Sequence, residues 1–148
     1  MTMTKRDNHA VTSPGLAIGT TTTKVNTGLA CAYNIGGRAY SKAATADVFT
    51  LAGTSLAARQ TCAFFLLLDA SGAATVEQSA IKEASTSTST TTRYVPGAWD
   101  WPDPTDKAVI GAVVITTAGS AFVPGTTALT GVAAYVNAGP DYGSPITY

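Results

Sequence analysis

Charge is what this sequence has least of. Asp, Glu, Lys and Arg make up 12% of its 148 residues and balance to a formal net charge of zero. The usual share is about 25%. A neutral balance argues against nucleic acid as the main partner, because phosphate binding draws on a basic surplus. It argues equally against a polybasic membrane anchor. Histidine is nearly missing too. The single residue, His9, would have to serve any Ser-His-Asp or Cys-His machinery. It sits in a polar stretch, where the rigid surround of a catalytic base is not expected.

Cysteine is scarce. Cys31 and Cys62, even with His9, fall short of the roughly four ligands of a zinc site. No metal or other cofactor is expected. Both cysteines lie in apolar, strand-like stretches, where a reduced thiol behaves as a small hydrophobe. A disulfide between them stays open if their strands adjoin. Long apolar runs are absent: the longest, Cys62–Leu68 (CAFFLLL), is far short of the ~20 residues of a membrane-spanning helix. The opening MTMTKRDNHAVTSPG has no apolar core of a secretory signal. Synthesis in the cytoplasm and no membrane partner are the expectation. GSAFVPGTT (119–127) looks like a catalytic or phosphate-binding loop. Yet no lysine follows Lys107, and both the phosphate-loop pattern and the GxSxG elbow are missing.

What the chain has instead is threonine, 25 residues of it, and a long C-terminal stretch almost without charge. From Ala108 to Tyr148 the only charged side chain is Asp141. A free monomer normally keeps charge on its surface for solubility. This stretch therefore suggests a face covered by other subunits. Solubility through Thr and Ser alone is the alternative.

Strand and turn signals dominate the rest. Residues 1–28 are polar and weakly patterned, and read as an extended N-terminal arm. Residues 29–148 read as a single β domain. Leu29–Ile35, Gly36-Gly37 and Arg38–Ser41 form a hairpin pattern. Val48–Leu51 is a further short strand. TCAFFLLLD from Thr61, the turn Asp69–Gly72 and AATVEQSAI form the clearest hairpin, its first strand buried on both faces. A second is expected over Ala108–Leu129: AVIGAVVIT, a turn at Thr117–Ser120, and AFVPGTTAL returning as an edge strand broken at Pro124-Gly125. Val132–Val136 adds a last strand. No segment has helical periodicity. The expected fold is all-β, an antiparallel β-sandwich or barrel built from short hairpins.

Few residues offer chemistry. Glu77, Glu83, Asp100, Asp103 and Asp106 are carboxylates without a recognisable pairing. The Asp100/Asp103/Asp106 spacing is ordinary proline-turn chemistry before it is a calcium loop. Trp99 and Trp101 point the same way if the segment is extended. They could cap the core, anchor a subunit interface or stack on a sugar. The candidate interface residues are Trp99, Trp101, Phe122, Tyr135, Tyr148, Lys5 and Arg6. No catalytic residue is assigned and no enzyme activity is expected.

Lys107–Ile115 (KAVIGAVVI), the glycine turn after it, Phe122–Leu129 (FVPGTTAL) and Phe64–Val76 (FFLLLDASGAATV) together resemble small structural proteins of tailed bacteriophages. The likeness spans about residues 29–136 and rests on strand and turn patterns. It implies a virion component on the capsid exterior, a decoration (cement) protein or a head fibre. Such proteins are commonly β-rich, oligomeric and non-enzymatic. The implied partners are the major capsid protein and further copies of the chain, with a trimer the natural number. The other reading is a fibre or spike domain that binds a host surface glycan through Trp99 and Trp101.

Overall fold

The computed structural model describes residues 8–84, 101–102 and 104–138. In chain order the strands are β1 (His9–Ala10), β2 (Leu16–Ile18), β3 (Lys24–Thr27), β4 (Cys31–Ile35), β5 (Arg38–Lys42) and β6 (Thr45–Thr50). They continue with β7 (Gln60–Asp69), β8 (Ala74–Gln78), β9 (Lys82–Glu83), β10 (Lys107–Thr116) and β11 (Ala133–Asn137). There is no helix among the described residues. All pairings are antiparallel, in three sheets that do not close on one another. The fold is all-β and sandwich-like.

The five-stranded sheet is the frame. Its order is β11-β10-β7-β8, with β9 continuing beside β7. Strands β7 and β10 are ten residues each and pair along their whole length, from Lys107 opposite Asp69 to Thr116 opposite Thr61. Every residue from Cys62 to Leu68 and from Ala108 to Ile115 is buried. Alternation then sorts them onto two faces. Cys62, Phe64, Leu66 and Leu68, with Ala108, Ile110, Val113 and Ile115, belong to the main core. Ala63, Phe65 and Leu67, with Val109, Ala112 and Val114, form a second cluster on the reverse face. A continuous apolar run is what two buried faces require, so the uninterrupted CAFFLLL and AVIGAVVI patterns follow directly.

Two small sheets contribute to the main core. One has the order β1-β4-β5, the other β2-β3-β6. Ala10, Cys31, Tyr33 and Ile35 come from the first, Leu16, Val25 and Phe49 from the second. Gly36 and Gly37, at φ 58° and 80°, make the two-residue turn of the β4–β5 hairpin. Left-handed backbone at both central positions is what the tight hairpin turn needs, and glycine supplies it without a Cβ clash.

Two expectations are corrected here. Residues 8–28 do not stand out as an arm. They supply β1, β2 and β3, and Ala10, Leu16, Val25 and Thr27 are all buried. The apolar positions in this polar stretch are sparse because each strand is only two to four residues long. The second hairpin is also built differently. β10 pairs with β7 and β11, and residues 121–129 form no returning strand. Pro124 and Gly125 lie in a turn, where Thr126 and Thr127 donate backbone bonds to the Val123 carbonyl at 3.1 and 2.9 Å. Only Phe122 makes a bridge, to Leu56. Val132–Val136 does form the last strand, one residue shifted.

Gly111 marks the tightest point of the frame. The β7–β10 register shifts between Val109 and Gly111, a β-bulge. A Cβ on Gly111 would run into Leu16 Cδ1 and would sit 2.6 Å from the Val136 carbonyl. The missing side chain lets the N-terminal sheet close on the frame. Gly111→Ala is expected to cost about 1–3 kcal/mol through overpacking, read as a lower urea midpoint with an unchanged m-value. Deleting residues 1–28 removes three strands and is expected to abolish the cooperative unfolding transition. A truncated chain that melts like the full chain would contradict this account of the core.

Candidate contact surface

The expected interface residues separate once placed. Phe122 is 1% exposed and packs on Phe64 with ring centroids 6.4 Å apart. It is a core residue, not an interface anchor. The reason is the two-residue bridge: Leu56 and Phe122 exchange backbone hydrogen bonds, each 2.9 Å, and this turns both side chains inward. Tyr135 lies half-buried against the main core. Its hydroxyl is buried with no hydrogen-bond partner among the described residues, and burial raises its pKa. Trp101 is half-buried and packs on Phe65 of the reverse face, centroids 5.2 Å apart at 53°. Trp99, Tyr148, Lys5 and Arg6 lie outside the described residues, as do Asp100 and Asp103. Of the two tryptophans only Trp101 is among the described residues, and it covers apolar sheet.

The titratable groups serve the turns. The Asp69 carboxylate accepts from the Ser71 hydroxyl at 2.6 Å, the Ser71 N–H at 2.8 Å and the Ala73 N–H at 2.9 Å. These bonds, the Ser71 hydroxyl first, hold it below the usual carboxylate range, with help from Lys107. Asp47 sits at φ 52° where β6 bulges away from β3. It caps the β2–β3 turn through the Thr21 N–H and hydroxyl, which likewise lower its pKa. His9 lies on β1 opposite Asn34. No group of three or more His, Cys, Asp or Glu side chains among the described residues is placed to share a metal ion. Cys31 and Cys62 are both buried free thiols. Burial pushes Cys31 up to about 11 and raises Cys62 against a contact from Gln78.

One surface stands out for what it lacks. Two loops run side by side at the end of the frame where β7 begins and β10 finishes. The first joins β6 to β7, the second leaves β10. Their backbones meet at the Leu56–Phe122 bridge and where the Arg59 N–H donates to the Ala118 carbonyl at 3.0 Å. Thr117 ties them together: its buried hydroxyl donates to the Ala57 carbonyl at 2.6 Å and accepts from the Gln60 N–H at 2.8 Å. Gln78 pins the first loop to β8. Its amide accepts from the Thr54 N–H at 2.7 Å and donates to the Thr54 carbonyl at 2.8 Å. Leu51, Leu56, Phe122 and Leu129 point inward and cap the core. What remains outside is small and neutral. Residues 52–55 and 57–58 of the first loop are exposed, as are 118–121 and Val123 of the second. None of them is charged, but the exposed Arg59 lies in the same first loop, where its N–H meets the second, and the exposed Lys82 and Glu83 of β9 lie beside it.

A groove of about 370 Å³ lies between β6 and β8, lined by Val48, Phe49, Thr50, Ala52, Ala74, Thr75 and Val76. It contains no acid, base or thiol. Pattern reasoning missed both this groove and the paired loops, because each is made by elements distant in sequence. The Ala-Gly-Thr-Ser composition of 52–58 and 117–121 was the available signal.

Compared with known proteins, the chain matches no protein-family model, no curated protein and no solved structure.

Two measurements check this account. The Asp69 pKa is lowered on folding, so its contribution to stability is complete above the unfolded value, ~3.9. It is lost as pH falls through the lower folded value. Asp69→Ala should therefore lower the melting temperature at neutral pH, and the gap to the parent should shrink below about pH 4. A gap that is constant with pH would show that the carboxylate is not what holds the turn. Neither cysteine should react with an aromatic disulfide reagent at pH 8 in the folded protein, and both should react in denaturant. Rapid labelling of the native chain would contradict the burial of the thiols.

Proposed function

We propose that the chain is a virion structural protein that decorates a bacteriophage capsid, binding the outer shell and stabilising it through capsid and homotypic contacts. The observation that carries this reading is the run of small neutral exposed residues in the paired loops, with Arg59 the one charged side chain among them, held on a two-face-buried frame. The small neutral residues lose little on desolvation, because apart from Arg59 they carry no charge that has to be stripped of water. Loops bound to each other and to β8 also lose little conformational entropy on contact. Both properties suit an assembly contact. By mass action, a protein that binds only the assembled shell stabilises that state. The resemblance of Lys107–Ile115, Phe122–Leu129 and Phe64–Val76 to phage structural proteins points the same way.

The glycan-binding reading draws less support. Trp101 is half-buried against Phe65, which leaves less of its ring to stack on a sugar.

Charge placed on the neutral surface tests the proposal. The double variant Ala121→Glu/Val123→Glu changes two exposed side chains and should leave the melting temperature within a degree or two of the parent. Its binding to undecorated shells of the phage that encodes the chain should fall at least about tenfold, ~1.4 kcal/mol. Unchanged binding by the folded variant, or no binding by the parent chain, would sink the reading.

A further inference from the structure

We draw no further inference here: the strongest candidate, the neutral groove between the facing edges of β6 and β8 lined by Val48, Thr50, Ala74 and Val76, carries nothing because no feature of the structure shows what would occupy it.

Discussion

The pairing of β7 with β10 is the constraint from which the rest of the molecule follows. Two ten-residue antiparallel strands lie side by side with both faces buried. Each large aliphatic or aromatic side chain removed from water in this way contributes about 1.5–3 kcal/mol. The two strands together place ten buried large apolar side chains in one ladder, five from each. Because both faces must be covered, a single opposing sheet is not enough. The N-terminal sheets help cover one face, and Trp101 packs over part of the other. Residues 8–30, polar as they look, are therefore part of the domain rather than an appendage to it.

The same constraint accounts for part of the shortage of charge. A strand buried on both faces has no position for an ionised side chain, since an unpaired buried charge is prohibitively costly. The first nine residues of the uncharged stretch after Lys107 belong to β10, and their neutrality is a core property. The neutrality of residues 117–131 is different. Those loops are largely exposed, so burial within the chain does not require it. The exposed neutral residues of this second portion, together with those of the loop between β6 and β7, form the proposed assembly contact.

Local patterns were legible wherever a single strand or turn decides the outcome. The Asp69–Gly72 turn announces itself through a short acid, a serine and a glycine, and its carboxylate accepts the bonds that composition suggests. Gly36-Gly37 marks its hairpin in the same way. Strands of two to four residues in the first 28 positions were not legible, because such segments offer too few alternations to separate from loop. The path after β10 was misread for a related reason. Phe122, Val123 and Leu129 look like a strand face, but Phe122 is turned inward by its bridge with Leu56, 66 positions earlier. The candidate surface was legible only as composition, and its members were not. Phe122 belongs to the core and Trp101 to a sheet cover, whereas the exposed alanines and glycines carry no sequence signal as individuals.

The sequence by itself determined the class of fold and the two long strands of the frame, because continuous apolar runs bounded by turn residues leave few alternatives to buried antiparallel strands. It also determined the local turn chemistry, which depends on neighbours within four residues. Only the tertiary structure decided that β10 lies between β7 and β11, that the N-terminal strands complete the core, and which neutral residues face outward. Those outcomes depend on contacts between segments tens of residues apart. Such contacts are selected by how faces and volumes fit together, at places such as Gly111 beneath Leu16, and the periodicity of any one segment does not encode them.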